Sequence, residues 1–295
     1  MLEILRYFQR LLGHRRSPAS SSPVSPLPAR SRSAASRGTI SLLAHQARFE
    51  LLTAGRNPRA RFFTLFFPLV LLIIFAGVFH GTTTVSGVHV KLARYFAAGI
   101  LAMSIVLASY ANLVIAIATL RETGVLKRRR STPVSPAILI GGQAISAVVT
   151  AAVMITILLV VAKLLYGVGM APGAVVAIVC TGAIGALTFA ALGYAVSGLI
   201  GSVDAAQPVV QATTMPLWFL SGVFVPTRNI SSGLRTIGEV FPIEHLAAGL
   251  HVASIHSSFA SSISASDLLV LGLWGVAGTA FAAWRFSWLP STATT

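Results

Sequence analysis

The chain has 295 residues, of which 55% are hydrophobic and only 10% are charged, and its mean hydropathy is +0.81. Soluble domains carry about 25% charged residues, so this composition excludes a soluble globule and predicts a protein whose solvent is a lipid bilayer. The 22 Lys and Arg residues against 7 Asp and Glu residues give a net charge of +15. Most of these cations flank apolar runs, and no recognition helix or basic aromatic sheet pattern accompanies them. We therefore predict contact with anionic membrane lipids and no binding of nucleic acid.

Residues 1–40 are predicted to form a basic, largely disordered cytosolic tail. Ser, Pro, Ala and Arg dominate residues 17–38, which leaves almost nothing to bury in a core. At the start of the chain Leu5, Phe8 and Leu12 recur at helical spacing. Two interpretations fit this spacing: a short amphipathic helix at a membrane surface, or a frayed tail. The segment lacks the continuous apolar run of a secretory signal, so we expect no cleavable signal peptide.

Residues 41–61 are predicted to form an interfacial elbow helix, an amphipathic helix that lies along the membrane before the first crossing. Leucine and phenylalanine recur there with a helical period and alternate with charged side chains. Ser41 is the predicted N-cap, and Gly55 is the predicted end of the helix. The cations of residues 56–61 follow at the level expected for lipid headgroups.

Six apolar segments approach or exceed the length that crosses a bilayer core, which is about 20 helical residues. They are residues 62–79, 95–120, 137–162, 172–200, 208–226 and 268–284. We therefore predict an all-α integral membrane protein with six transmembrane helices. Residues 227–267 contain apolar pieces too short to cross, and these predict re-entrant or surface-lying helices between the fifth and sixth spans.

The distribution of cations predicts the orientation in the membrane. An even number of spans places both termini on the same side. On that side fall 17 of the 22 cations, on the terminal segments and on the loop between the second and third spans, and five fall on the other. By the positive-inside rule, the termini and that loop are cytosolic.

The predicted spans contain no acidic residue, whereas a carrier driven by a proton or sodium gradient usually keeps a carboxylate in the membrane. A gradient-driven carrier is therefore a weaker hypothesis. The polar residues Asn112, Gln143 and Gln211 either line a path or join helices. No lysine has the G-x-x-x-x-G-K-[ST] context that binds phosphate, so we predict that the chain is not an ATPase and that any ATPase is a separate polypeptide.

An enzymatic alternative would use Glu244, His245 and His251 of the external loop. These residues lack the spacing of H-E-x-x-H, so we expect hydrogen bonding within the loop and no metal site. No G-x-S-x-G elbow is present either, so we expect no catalytic residue. The alternative hypothesis is a membrane-embedded, lipid-modifying enzyme with an external-loop site. The single cysteine, Cys180, excludes an internal disulfide.

The charged segment L-R-E-T-G-V-L-K-R-R-R-S-T-P at residues 120–133 carries a family resemblance. It is similar to the R-E-x-G-x-L-K-R-x-R-x-T-P loop between the second and third spans of ABC-2 type exporter permeases, the family that includes daunorubicin-resistance-like drug permeases. Family members commonly have an apolar residue at the position of Arg129. The matching residues, which the resemblance assigns to an ATPase-coupling loop, are Arg121, Glu122, Gly124, Leu126, Lys127, Arg128, Arg130, Thr132 and Pro133.

A second motif, M-P-L-W-F-L-S-G-V-F-V-P at residues 215–226 followed by F-P-I-E-H at residues 241–245, resembles the fifth span and outer re-entrant hairpin of that family. Ile230 and Ser231 stand where the family often has a proline. Ordinary packing explains the aromatic residues as well as a gate does. The predicted outer gate and re-entrant residues are Pro216, Trp218, Phe219, Ser221, Gly222, Phe224, Pro226 and Pro242.

The resemblance implies an ABC-2 transmembrane domain over residues 62–289 that pairs with a second copy or with a sister permease. Two separate ABC ATPase subunits would bind ATP and Mg²⁺, so that this chain needs no cofactor, and would dock on residues 121–136. The cations of that loop would contact acidic groups on the ATPase or anchor the loop to anionic lipid. The implied function is export of a hydrophobic or amphiphilic drug, lipid or glycolipid across a bacterial cytoplasmic (inner) membrane, as in multidrug resistance.

Overall fold

The computed structural model describes residues 32–56, 62–124, 136–226 and 229–285, and the structural statements that follow concern these residues. The described residues divide into two compact units between Gly38 and Thr39, and the bundle of helices that follows the first helix belongs to the second unit.

The first helix, α1 (Arg32–Arg56), begins nine residues before the predicted N-cap Ser41 and ends one residue after Gly55. Its earlier start fits the alanines in its first turns, because alanine has the highest intrinsic helix propensity. Within the second unit, Leu43 and Gln46 of this helix pack directly over Gly141 and Gly142. The absence of a Cβ on these two glycines allows the helices to approach closely.

The remaining elements follow in chain order. A π-helical turn (Phe62–Phe66) leads into α2 (Phe67–Val78), and a two-stranded antiparallel hairpin follows, formed by β1 (Thr82–Val85) and β2 (Val88–Lys91). The next helices are α3 (Leu92–Val106), a π-helical turn (Leu107–Ala111), α4 (Asn112–Glu122), α5 (Pro136–Tyr166), α6 (Pro172–Ser197) and α7 (Val203–Leu220). The last are α8 (Ser232–Gly238), α9 (Pro242–Ile255), α10 (Phe259–Ser262) and α11 (Ala265–Arg285).

The hairpin is an element that the sequence analysis missed. Its turn is formed by Ser86 and Gly87, whose φ angles are 46° and 80°. Positive φ at both central residues matches the type I′ turn that suits the twist of two-residue hairpins. The available signal was the β-branched residues, which fill β1 and alternate with His89 and Lys91 in β2.

Four helices in the described part of the chain are long and apolar enough to cross a membrane: Leu92–Glu122, Ile140–Tyr166, Pro172–Ser197 and Ala265–Trp284. They coincide with the second, third, fourth and sixth predicted spans. The first predicted span corresponds to a shorter apolar helix, Thr64–Val78. The fifth corresponds to α7, which ends at Leu220, six residues before the predicted end. The chain is therefore a helical, multi-pass membrane protein.

The continuous helix Leu92–Glu122, called the central helix below, forms the middle of the bundle. In its most apolar stretch of 18 residues, 78% is buried inside the protein, whereas the corresponding share for Ala265–Trp284 is 17%. Ile100, Leu101 and Met103 have no exposed surface. This helix packs against α2, α5, α6 and α9. Contacts at its two ends can therefore connect several helices.

Candidate functional site

The C-terminal end of the central helix is fixed to the loop between α6 and α7 by Arg121. This side chain is only 7% exposed, and its Nη1 donates hydrogen bonds to the carbonyl oxygens of Ser197 and Ile200 at 2.9 and 2.8 Å. Ser197 is the last residue of α6. The last carbonyls of a helix have no partner within the helix and carry its negative dipole end, so a guanidinium is well placed there.

Glu122, the next residue, binds the start of α7, the helix that follows the loop after α6. Its Oε2 accepts a hydrogen bond of 2.8 Å from the backbone N–H of Val203, the first residue of α7. The first N–H groups of a helix are unpaired and form its positive dipole end, where a carboxylate is favourable. Ser202 adds a cap by accepting from the Ala205 N–H at 3.3 Å.

Adjacent residues of opposite charge thus bind two oppositely charged helix ends. We call the group formed by Arg121, Glu122, Ser197, Ile200 and Val203 the R-E clamp. It connects the central helix, α6 and α7 at one point. These contacts join residues that lie 76 to 81 positions apart in sequence, so no local pattern could predict them.

Gly124 ends the helical path after the R-E clamp. Its φ is +69°, a left-handed conformation that glycine adopts without steric cost, and its N–H donates to the Arg121 carbonyl oxygen at 3.1 Å. Gly124 therefore has a conformation that a bend can use, and residues 125–135, which follow it, lie outside the described part of the chain. The other predicted coupling residues lie outside the described part of the chain: Leu126, Lys127, Arg128, Arg130, Thr132 and Pro133.

Two of the polar residues predicted within spans join helices. The Asn112 amide donates to Thr64 Oγ1 at 2.8 Å, which ties the central helix to the first π-helical turn. The Tyr194 hydroxyl donates to Gln143 Oε1 and links α6 to α5. For these residues the structure favours the interpretation that they connect helices.

At the opposite end of the central helix, Tyr95 and His251 enclose the turn that follows α7. The Tyr95 hydroxyl donates to the Gly222 carbonyl oxygen. The His251 ring stacks on the Tyr95 ring with centroids 4.2 Å apart, and its Nε2 lies 3.3 Å from the same carbonyl oxygen. Because a carbonyl oxygen only accepts, Nε2 carries the hydrogen. Burial lowers the pKa of His251 to about 4, so the ring is neutral at pH 7.

The turn after α7 lies directly on the central helix at Gly99. A Cβ added at Gly99 would overlap the carbonyl oxygen of Val223, so any larger residue would push the turn away. Gly222 supports the same arrangement with a φ of +71°. The segment that ends α7 is therefore held by backbone contact, and the two glycines are structural requirements.

Three aromatic residues predicted for an outer gate come together around Phe224. Its ring centroid lies 5.3 Å from Phe75, 5.6 Å from Phe219 and 6.4 Å from Trp218. Trp218 is 6% exposed and Phe219 is 52% exposed, so the cluster runs from the interior to the surface of the bundle. We call Phe75, Trp218, Phe219 and Phe224 the aromatic cluster.

The other predicted gate and re-entrant residues occupy the ends of the neighbouring helices. Pro216 lies inside α7, and Pro242 begins α9. Ser221, which is buried, is the first residue after the end of α7. Pro226 is the last described residue before a gap at residues 227–228.

Sequence reasoning did not assign Tyr95, Gly99 or the loop after Ser197 to a site. A single tyrosine or glycine in an apolar helix gives no pairing signal, because its partner is far away in the chain. Adjacent opposite charges at the end of an apolar helix, as in Arg121 and Glu122, were the available signal for a contact with helix ends.

The residues of the enzymatic alternative do not share one site. His251 contacts Tyr95 and Gly222, whereas His245 places Nδ1 2.8 Å from Asp267 Oδ1 and Nε2 2.9 Å from the Glu239 carbonyl oxygen. His245 and His251 thus bond to different groups, and the geometry gives the alternative no support.

An apolar helical bundle whose described residues include four helices of membrane length defines an integral membrane protein. The family model of ABC-2 type transporters matches residues 44–254, which include the R-E clamp, the aromatic cluster and His251. The chain therefore belongs to the ABC-2 type transporter family and is a membrane-spanning permease of an ABC transporter. A comparison with curated proteins finds no match.

Proposed function

We propose that the chain is the permease of an ATP-driven exporter that moves a hydrophobic or amphiphilic compound, such as a drug, lipid or glycolipid, out of the cell. The observation that carries this proposal is the R-E clamp at the start of the loop formed by residues 121–136. A soluble ATPase cannot act on helices buried in lipid, so it needs a rigid loop that continues into the spans.

In this proposal a pair of separate ABC ATPase subunits binds ATP and Mg²⁺ and docks on residues 121–136. Movement of the docked loop acts on Arg121 and Glu122, and their hydrogen bonds pass it to α6 and α7 as well as to the central helix. The loop leads into α5, on which α1 packs at Gly141 and Gly142. The elbow helix would therefore move with the same loop.

The proposed topology has six spans, with α2 and α7 as the first and fifth. The excess of cations on the termini and on residues 121–136 supports a cytosolic location for the R-E clamp and both termini. Helices α8, α9 and α10 have 7, 14 and 4 residues, which is too short to cross, and they would form the outer re-entrant or surface-lying region. A bacterial cytoplasmic membrane is the proposed location.

The proposed cargo follows from the predicted spans, which contain no acidic residue. A strongly charged solute would lack partners there, whereas an apolar or amphiphilic one would not. The aromatic cluster beside the turn after α7 is the proposed outer gate. Two permease chains, either identical or sister chains, would enclose the path.

The proposal is tested by the double substitution Leu126→Asp and Pro133→Gly in the docking loop. We expect loss of ATP-driven transport of a fluorescent amphiphilic dye in everted membrane vesicles, with unchanged amounts of inserted protein. The matched control is Arg129→Leu, because related permeases commonly have an apolar residue there, and it should keep transport. Undiminished transport by the double variant would contradict docking on this loop.

A further inference from the structure

Three side chains capable of binding a metal ion meet where α9 and α11 begin. They are Glu244 and His245 in the first turn of α9 and Asp267 in the first turn of α11. One ligand atom from each lies within 4.8 Å of the other two. His245 Nδ1 is 2.8 Å from Asp267 Oδ1 and 3.6 Å from Glu244 Oε2. The three side chains are only 14–17% exposed, so they form a partly enclosed site and not a solvated surface group.

The hydrogen bonds of His245 orient its ring so that Nδ1 faces this cluster. Its Nε2 lies 2.9 Å from the Glu239 carbonyl oxygen, and since that oxygen only accepts, Nε2 carries the hydrogen. Nδ1 faces both carboxylates and, because the Asp267 carboxylate oxygen at 2.8 Å also only accepts, Nδ1 carries a hydrogen in this structure. A metal ion would take the place of that proton. Metal-binding histidines commonly donate their other N–H to a backbone carbonyl in this way, which fixes the tautomer and the ring orientation.

The carboxylate of Asp267 is also held from outside the cluster. Ser264 Oγ donates a hydrogen bond to Asp267 Oδ2, which leaves Oδ1 directed at His245. Carboxylates that bind metals are in turn hydrogen-bonded by neighbouring groups. His245 and Asp267 are therefore already held in place by hydrogen bonds with groups outside the cluster.

The charge of the cluster calls for a cation. Two carboxylates and the imidazole of His245 face each other in a partly buried site. In the described part of the chain, Arg235 is ion-paired with Glu239 at 2.9 Å, and no lysine or arginine forms an ion pair with Glu244 or Asp267. A proton on His245 would neutralise one of the two negative charges, whereas a divalent ion would neutralise both.

We propose that Glu244, His245 and Asp267 bind a divalent transition-metal ion of the Zn²⁺ type that bridges α9 and α11. One imidazole nitrogen with two carboxylates is a donor set that Zn²⁺ accepts in tetrahedral sites, and three protein ligands leave a fourth position for water. The imidazole favours transition metals over Ca²⁺ and Mg²⁺, which prefer oxygen ligands alone. This assignment departs from our sequence-based expectation that the chain has no metal site.

The bridge would connect two elements that are 22 residues apart in sequence, at His245 and Asp267. Because an ion bound only by the folded state raises stability by mass action, its effect on thermal unfolding should grow with free Zn²⁺. The proposal concerns this site alone and does not depend on the direction or cargo of transport.

The test measures Zn²⁺ bound per chain, by equilibrium dialysis and elemental analysis, on the full chain in lipid nanodiscs with its purification tag removed. Wild type should bind one more Zn²⁺ than His245→Gln. Mutation of a group that hydrogen-bonds to a metal ligand costs about 10- to 100-fold in metal affinity. Loss of the nitrogen ligand itself should therefore weaken Zn²⁺ binding at the site by at least about 100-fold. Asp267→Asn should act in the same direction.

The matched control is His256→Gln. His256 follows the last residue of α9, and its Nδ1 lies 3.0 Å from the Val252 carbonyl oxygen of that helix. It is outside the cluster, so this variant should bind as wild type does. Equal Zn²⁺ content in wild type and His245→Gln, or Ca²⁺ binding at the site as tight as Zn²⁺ binding, would overturn the proposal.

A measurement on the wild type alone covers the case in which the variants do not fold. Zinc K-edge X-ray absorption should show one imidazole with oxygen ligands at about 2.0–2.2 Å. Scattering from several histidines would place the metal elsewhere and overturn the assignment.

Discussion

The Arg121 guanidinium donates a hydrogen bond of 2.9 Å to the Ser197 carbonyl oxygen, and this contact joins the C-terminal ends of two membrane-length helices. Glu122 extends the connection to the first residue of α7. The residues with which the proposed docking loop begins therefore contact three helices. In the proposed function, a force applied to that loop would reach α6 and α7 through these hydrogen bonds.

Removal of the Arg121 side chain should destabilise the protein. In Arg121→Met the carbonyl oxygens of Ser197 and Ile200 lose their buried donor, and an unsatisfied buried polar group costs about 1–3 kcal/mol. We expect a lower free energy of unfolding of that size in detergent, and reduced ATP-driven dye transport even where insertion is normal. The control is Arg235→Ala, which breaks an exposed ion pair worth at most about 1 kcal/mol. Equal losses of stability in the two variants would argue against the R-E clamp.

The close approach at Gly99 gives a second prediction. In Gly99→Ala the new methyl group overlaps the Val223 carbonyl oxygen, and overpacking of this kind costs about 1–3 kcal/mol. Thermal unfolding should therefore occur at a lower temperature. Gly272→Ala is the matched control, since Gly272 is a helical glycine of α11 with open space around it, and alanine there should be neutral or stabilising. A Gly99→Ala protein as stable as Gly272→Ala would show that the turn after α7 does not rest on the central helix.

The buried His251 predicts a loss of stability in acid. Its pKa falls from an ordinary value of 6.5 to about 4 in the folded protein, because burial disfavours the charged ring. The contribution of the neutral ring to the free energy of unfolding is fully present above pH 6.5, and it decreases as the pH falls toward 4. Between these two pH values, each pH unit removes up to about 1.4 kcal/mol of stability.

This pH effect is measured by thermal unfolding between pH 7.5 and 4.5. His251→Phe keeps an aromatic ring beside Tyr95 but takes up no proton, so its unfolding temperature should fall less over this range than that of wild type. Nδ1 of His251 has no hydrogen-bond partner among the described residues, so protonation would also bury an unpaired N–H. Parallel curves for the two proteins would contradict a neutral, buried His251.

The hydroxyl of Tyr95 gives a prediction for the proposed outer gate. Tyr95→Phe keeps the ring that stacks on His251 and removes one donor to the Gly222 carbonyl oxygen, which keeps the N–H of His251. The loss of one hydrogen bond costs about 1 kcal/mol. We expect a higher passive leak of dye from proteoliposomes without ATP. The control is Tyr166→Phe, which removes an exposed hydroxyl bonded to the Ile73 carbonyl oxygen and should leave the leak unchanged. An equal leak in the two variants would contradict a role of the Tyr95 hydroxyl in the proposed outer gate.

The sequence predicted elements that depend on local composition. Long apolar runs located the second, third, fourth and sixth spans. The predicted fifth span extended to Pro226, because residues 221–226 are as apolar as the helix before them. The helix ends at Leu220, where Gly222 adopts a positive φ and the following residues pack on Gly99.

The candidate site depended on contacts between residues far apart in the chain. The predicted aromatics Trp218, Phe219 and Phe224 lie close in sequence, and the structure brings them together with Phe75, which the sequence did not connect to them. The partners of Arg121 and of Tyr95 lie 76 and 127 residues away, at backbone carbonyls, and a backbone carbonyl has no sequence signature.

The most direct test of the central claim is transport of a fluorescent amphiphilic dye into proteoliposomes, with and without the proposed ABC ATPase partner. We predict uphill transport only when both the ATPase and ATP are present, and loss of that transport in the Leu126→Asp and Pro133→Gly variant. Uphill transport by the chain alone, driven by an ion gradient and abolished by an uncoupler at constant ATP, would contradict the account.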